Sequence, residues 1–248
     1  MIVTKYSANG NDFIIFYAQT KEDRGQLAKK LCHRQNGVGA DGMVVLIPHK
    51  EYDFEWQFYN ADGSEAAMCG NASRAVAHYA IEKGISKDNR ATFLTGAGVI
   101  NATINGLYIV SDMVKPQIID QNIDEYGEKW WLIDSGVPHL LTFRDNIDEF
   151  DIEQMRSLRE KYNANINIAK IEGGDMFVRT YERGVEDETL ACGTGMVACY
   201  IRGHREELLS DMVRVFPKSG DELYVSYEDG VYRFGGQVTK TFVAETLI

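Results

Sequence analysis

Residues 59–80 read YNADGSEAAMCGNASRAVAHYA, and residues 181–201 read YERGVEDETLACGTGMVACYI. Both open on Tyr and a polar residue and pass through a Gly-containing acidic turn. Two or three small or apolar residues follow, then Cys-Gly, then an Ala-rich run. Cys69 and Cys192 lie about half a chain length apart in 248 residues. A repeat of strand, turn, Cys-Gly and helix at that separation predicts a duplicated unit.

Outward from these segments, many short stretches alternate in polarity or carry β-branched and aromatic residues. Residues 12–17, 43–47, 54–59, 98–104, 107–111, 132–134, 176–181, 212–216, 222–227 and 231–234 read as strands. Asn105-Gly106 and Asp229-Gly230 read as hairpin turns, in which both positions favour positive φ. Helical periodicity is confined to 25–33, 71–83, 151–162 and 195–207. Many strands with few helices predict an α+β class rather than a regular βαβ series.

Composition narrows the function. Apolar residues make up 44% and charged residues 25%, which excludes a disordered or collagen-like chain. The net charge of −11 argues against nucleic acid as a partner. No apolar run approaches the roughly 20 residues that span a bilayer. Residues 1–13, MIVTKYSANGNDF, lack the basic flank and apolar stretch of a secretory leader, so a cytoplasmic protein is expected. The four cysteines, Cys32, Cys69, Cys192 and Cys199, then remain reduced thiols. None forms a CxxC pair, so no structural zinc site is expected.

The two Cys-Gly turns carry the chemistry. Gly70-Asn71 and Gly193-Thr194-Gly195 would offer backbone N–H groups at a helix N-terminus, which attracts a carboxylate and favours a thiolate. Two such units facing each other would place one sulfur on each face of a bound carbon. Inversion at an acidic C–H needs a base on one side and an acid on the other. The residues therefore suggest a two-thiol racemase or epimerase acting beside a carboxylate. The plainer alternative is that both cysteines are small buried apolar residues, as Cys32 and Cys199 are expected to be. A redox-sensing or binding protein with a reversible disulfide is a third reading.

Polar residues gather near these turns in the sequence. Asn9, Asn11 and Asp12 lie in a turn near the N-terminus, Asn60 precedes the Cys69 turn, and Glu182-Arg183 hold the matching place in the second half. Asn163, Asn165 and Asn167 alternate and would share one side of an extended segment. Pro138-His139 reads as a turn with a surface His. Amide, carboxylate and guanidinium groups of this kind suit an amino-acid ligand, and equally suit turn capping.

Together the motifs are similar to those of the diaminopimelate epimerase family. The resemblance rests on residues 10–13 (GNDF), 39–42 (GADG), 60–65 (NADGSE), 68–71 (MCGN), Pro138-His139, 165–167 (NIN), 181–184 (YERG) and 191–195 (ACGTG). It implies two pseudo-symmetric domains, each a curved, mostly antiparallel sheet around a central helix. Residues 1–113 plus 237–248 would form the first and 114–236 the second. It implies interconversion of LL- and meso-diaminopimelate, in lysine and peptidoglycan precursor synthesis, by a homodimer. No cofactor is expected, neither pyridoxal phosphate nor a metal.

By this resemblance Cys69 and Cys192 form the acid/base pair, assisted by His139 and Glu182. Gly70, Asn71, Gly193 and Thr194 hold the reacting carboxylate. Asn11, Asn60, Asn165, Glu182 and Arg183 hold the other amino-acid groups. Three departures stand out. Val137 replaces the Asn commonly found before Pro-His, Ala72 replaces a Gly, and the path from Glu182 to Cys192 is one residue longer, an excess expected as a bulge at 186–188. A proline racemase is the nearest alternative, but proline has no distal amino-acid group for Glu182 and Arg183 to hold.

Overall fold

The computed structural model describes residues 1–247. In chain order the elements are β1 (Ile2–Ala8), β2 (Asn11–Tyr17), α1 (Gly25–Cys32), β3 (Gly42–Ile47), β4 (Phe54–Asn60), α2 (Gly70–Glu82), β5 (Arg90–Thr95), β6 (Gly98–Asn105) and β7 (Tyr108–Asp112). They continue with β8 (Gln117–Glu125), β9 (Glu128–Asp134), β10 (Pro138–Phe143), α3 (Ile152–Tyr162), β11 (Asn165–Glu172), β12 (Asp175–Glu182), β13 (Asp187–Thr189), α4 (Gly193–Arg205), β14 (Met212–Pro217), β15 (Leu223–Glu228), β16 (Val231–Gln237) and β17 (Thr239–Glu245). Four helices among many strands, in the described residues, make this an α+β protein. Among the described residues no helix is long and apolar enough to cross a membrane.

The chain divides into two compact units, one of 1–112 with 235–248 and the other of 113–234. In the first, β17, β1 and β2 pair antiparallel, β2 and β3 parallel, β3 and β4 antiparallel, β4 and β5 parallel, and β5, β6 and β7 antiparallel. In the second, β8, β9 and β10 pair antiparallel, β10 and β11 parallel, β11 and β12 antiparallel, β12 and β14 parallel, and β14 and β15 antiparallel. The alternation of parallel and antiparallel ladders is the same in both. It is the structural form of the repeat in the sequence.

Each unit is built round one buried helix. Helix α2 touches β1, β2, β3, β5, β6 and β7, and α4 touches β9, β10, β11, β12 and β15. Ten of the thirteen α2 residues are buried, and eleven of thirteen in α4. A helix enclosed on nearly all sides cannot show the one-sided stripe of a surface helix. The many Ala and Gly residues instead let strands approach closely. Helix α1 packs on β3 and β4, and α3 on β11, β12 and β13. Leu31 and Cys32 of α1 pack with Tyr59, and Met155 and Leu158 of α3 pack with Tyr181. The two tyrosines that open the repeat thus hold matching places in the two cores.

Several local expectations change. Asn105 is the last paired residue of β6, opposite Tyr108, so the turn is Gly106-Leu107 and only Gly106 has positive φ. Asp229 and Gly230 both have positive φ, at 53° and 81°. Asn163 does not share a strand face with Asn165 and Asn167. It caps the C-terminus of α3 in the left-handed conformation, with φ 49°, a place Asn tolerates because its side chain bonds locally. Within 186–188, Glu186 is left-handed, φ 60°, and β13 then folds back on β12. Strands β1, β5, β8, β10, β13 and β17 are stretches that alternation did not mark.

Candidate active site

Each cysteine of the repeat is the N-cap of the buried helix in its unit. Cys69 has φ −151° and ψ 117° before α2, and Cys192 has φ −122° and ψ 106° before α4. Neither cysteine caps its helix through a side-chain bond to the backbone, and neither helix has an acidic residue in its first turn. The first N–H groups of an α-helix have no intrahelical acceptor, and the helix dipole adds positive potential there. Gly70-Asn71 and Gly193-Thr194 therefore present matching anion-attracting backbone. The other two cysteines are packing residues. Burial pushes the thiols of Cys32 and Cys199 up to about 12, which keeps them protonated and inert.

In the first unit, Asn11 sits beside Cys69. Cys69 Sγ lies 3.8 Å from Asn11 Oδ1, and Asn71 Nδ2 donates to the same oxygen at 3.4 Å. Asn11 Nδ2 donates to Asp41 Oδ2 at 2.9 Å. Asp41 and Asp12 share Arg34, at 2.7 and 3.0 Å, and Lys5 reaches Asp12 at 2.8 Å. Burial alone would raise the Asp12 carboxyl, but its bonds to Arg34, Lys5 and the Asp41 backbone outweigh that and hold it at about 2. Arg74, fully buried, donates to Asn71 Oδ1 at 2.6 Å and to Asn9 Oδ1 at 2.8 Å. Asn60 ends β4, where its Nδ2 donates to Ser64 Oγ at 3.0 Å.

In the second unit, β10 and β11 run parallel with His139 opposite Asn165. His139 is fully buried within β10 rather than exposed on a turn, because Pro138 opens a strand there. Its Nε2 lies 2.9 Å from Thr194 Oγ1, and its Nδ1 lies 3.0 Å from Asn167 Nδ2. Thr194 Oγ1 lies 3.6 Å from Cys192 Sγ. Burial, reinforced by the nearby Arg183 charge, pushes the His139 imidazole down to about 3 despite its bond to Asn167. His139 is thus neutral near pH 7.

Asn165 Oδ1 accepts the Arg183 backbone N–H at 2.8 Å, and Arg183 Nη1 donates to Asn163 O at 2.9 Å. Glu182 ends β12 next to Arg183, paired with Asp187. Val137 lies in the turn before β10, where its carbonyl accepts Ser135 N–H at 3.2 Å. Ser135 Oγ donates to Thr194 O at 2.8 Å.

The structure thus gathers Cys69, Gly70, Asn71 and Asn11 in one unit, and Cys192, Gly193, Thr194, His139, Asn165 and Arg183 in the other. Sequence reasoning missed Asp41, Arg74 and Ser135. One signal existed for Arg74. It stands three residues after Asn71 in an otherwise Ala-rich helix, a spacing that stacks side chains on one face. Among the described residues no group of three or more His, Cys, Asp or Glu side chains could hold a metal ion.

The sequence matches the family described as diaminopimelate epimerase over residues 3–119 and 131–239. It is 54% identical over 243 residues to the diaminopimelate epimerase of Nitratiruptor sp., covering 98% of this chain and 97% of that one. It is 50% identical over 242 residues to the diaminopimelate epimerase of Campylobacter jejuni, covering 97% and 96%. The fold is similar to the crystal structure of a probable proline racemase from Agrobacterium radiobacter, with a TM-score of 0.81 at 16% identity over 100% of this chain and 93% of that one. At that identity the likeness concerns the fold alone. The match along both halves of the sequence shows that this chain belongs to the diaminopimelate epimerase family.

Proposed function

We propose that this protein is a diaminopimelate epimerase that interconverts the LL and meso isomers by proton transfer at one α-carbon. The observation that carries the reading is the pair of Cys N-caps on matching buried helices, each followed by backbone open to an anion. Close relatives at about half identity over nearly the whole chain carry that name. The product serves lysine and peptidoglycan precursor synthesis.

One cysteine, as thiolate, takes the α-proton and becomes a thiol. The electron pair moves into the carboxylate, whose growing negative charge is met by N–H groups at Gly70-Asn71 and Gly193-Thr194. The other cysteine, as thiol, gives its proton to the opposite face of the carbon and becomes a thiolate. The pair ends with its roles exchanged, and the reverse reaction restores them. His139 and Glu182 assist the pair as positioning groups. Asn11, Asn60, Asn165, Glu182 and Arg183 hold the remaining ammonium and carboxylate groups, Arg183 through its planar fork.

In this reading no pyridoxal phosphate or metal takes part, the protein works in the cytoplasm, and two copies associate as a homodimer. Proton NMR of the reduced protein with LL-diaminopimelate in D₂O tests the activity. Loss of the α-proton signal with appearance of the meso isomer is the expected result. Exchange with proline but not with diaminopimelate would move the specificity. No exchange with any amino acid, from a folded and reduced sample, would overturn the reading.

A further inference from the structure

We propose that Asp41 and Asn167 are positioning residues that give the two cysteines opposite resting states, Cys69 a thiol and Cys192 a thiolate. The inference deepens the epimerase reading and rests on it for its purpose. Both sulfurs stand at a helix N-terminus, so that feature does not distinguish them. The side chains of Asn11 and Thr194 beside them do.

Cys69 faces a carbonyl oxygen. Asp41 is a carboxylate that only accepts, and it takes a hydrogen bond from Asn11 at 2.9 Å. The Asn11 amide nitrogen must therefore point at Asp41, and its oxygen at Cys69 Sγ, 3.8 Å away. Asn71 confirms that orientation. Arg74 can only donate, so it claims Asn71 Oδ1 and turns Asn71 Nδ2 toward Asn11 Oδ1. An oxygen lone pair beside sulfur accepts from S–H and repels S⁻, which favours the thiol.

Cys192 faces a hydroxyl whose proton has been left for it. Asn167 Nδ2 donates to Leu140 O at 3.4 Å, a carbonyl that only accepts, so the same amide nitrogen meets His139 Nδ1 at 3.0 Å. Asn167 Oδ1 in turn accepts Thr180 Oγ1 at 2.9 Å. Nδ1 is then the acceptor of a neutral ring, and Nε2 carries the proton. The 3.5 Å approach of Asn165 Nδ2 to Nε2 is too long to compete with the 2.9 Å contact to Thr194. Nε2–H fills a lone pair of Thr194 Oγ1, and the Thr194 proton turns toward Cys192 Sγ at 3.6 Å. A donor beside sulfur favours the thiolate.

The charged groups around each sulfur do not reverse this. Behind Asn11, Asp12 and Asp41 are paired with Lys5 and Arg34, and Arg74 lies behind Asn71. Near Cys192 the ring of His139 is neutral, and Glu182 and Arg183, of opposite sign, are neighbours at the end of β12. The resting protein therefore holds Cys192 ready as base and Cys69 ready as acid. The isomer that offers its α-proton to Cys192 reacts directly.

The test is the pH profile of iodoacetamide labelling at each cysteine of the free, reduced protein, read by peptide mass spectrometry. The midpoint of each profile reports protonation whatever the accessibility of the sulfur. Cys192 is expected to titrate at lower pH, so that near pH 7 its rate, relative to its own plateau, exceeds that of Cys69 by about tenfold or more, since a hydrogen bond to a charged group is among the stronger ones. Coincident or reversed midpoints would overturn the proposal.

Thr194→Val should raise the Cys192 midpoint, and Asp41→Ala should lower that of Cys69 by releasing the Asn11 amide. Asn167→Asp should move the His139 proton to Nδ1, seen by ¹⁵N NMR of the ring, and raise the Cys192 midpoint. A folded Asn167→Asp protein with an unmoved tautomer and midpoint would show a merely structural Asn167. Should that variant fail to fold, the wild-type midpoints and the Nε2–H signal expected in wild type still decide the question. Labelling needs no substrate, so a failure of α-proton exchange would overturn the epimerase reading and leave this result standing.

Discussion

Gly195 and Asn167 are in contact through a gap that only glycine leaves. A methyl group on Gly195 would stand closer than 3.0 Å to Asn167 Oδ1 and 3.3 Å from His139 Cε1. Helix α4 thus presses its first turn against the polar face of β10 and β11, and Gly195 sets how near it comes. The corresponding residue of α2 is Ala72, fully buried, so the first unit accepts a methyl group at the same place.

Gly195→Ala is therefore expected to displace Asn167 and His139. Overpacking a close contact costs about 1–3 kcal/mol. The urea midpoint should fall by a corresponding amount, and turnover should fall further than stability explains. The converse change, Ala72→Gly, should alter turnover little. Comparing urea unfolding and kcat for the two variants checks the asymmetry.

Cys69→Ala and Cys192→Ala should each reduce turnover at least about 100-fold, the lower end for a general acid or base. Cys32→Ala and Cys199→Ala should leave turnover near that of wild type, since their thiols are buried and held protonated. Steady-state rates on LL-diaminopimelate with the four variants distinguish chemistry from packing. Wild-type turnover in either of the first two would remove the two-thiol mechanism.

Arg183→Lys should raise KM several-fold more than it lowers kcat. The guanidinium fork can grip Asn163 O with one nitrogen and present others to a carboxylate, whereas an ammonium has no such planar pair. An unchanged KM would make Arg183 a structural tie between β12 and the end of α3.

His139 also predicts a pH dependence of stability. Its folded-state pKa, about 3, is well below the ordinary histidine value, because burial disfavours the charged ring and Arg183 adds to that. The unfolded chain binds this proton first as pH falls. Stability from the neutral ring is therefore fully present above about pH 6.5 and is lost as pH falls toward 3, at up to about 1.4 kcal/mol per pH unit. His139→Gln should flatten that part of the profile, which denaturant titrations between pH 7 and pH 4 will show.

The sequence reveals most clearly what is local. Cys-Gly ahead of an Ala-rich run marks both helix starts, because glycine and alanine state their backbone preferences without reference to the rest of the chain. The repeat shows duplication for the same reason. His139 was illegible as a buried residue. Pro138-His139 looks like a turn, and only its pairing with β9 on one side and β11 on the other makes it a strand enclosed beneath α4. Asn163 looked like a partner of Asn165 and Asn167 because alternation alone cannot show where a helix ends.

Two helices that start at Cys-Gly and the α+β class follow from the sequence by itself, since each depends on residues adjacent in the chain. Tertiary structure alone decided what each sulfur meets. Asn11, thirty residues from Asp41 and about sixty from Cys69, is aimed by one at the other. Asn167 reaches Cys192 through His139 and Thr194, residues that only the sheet and α4 bring together. The physical reason is that a hydrogen bond has direction. A sequence can supply the donors and acceptors, but only packing fixes which way each one points.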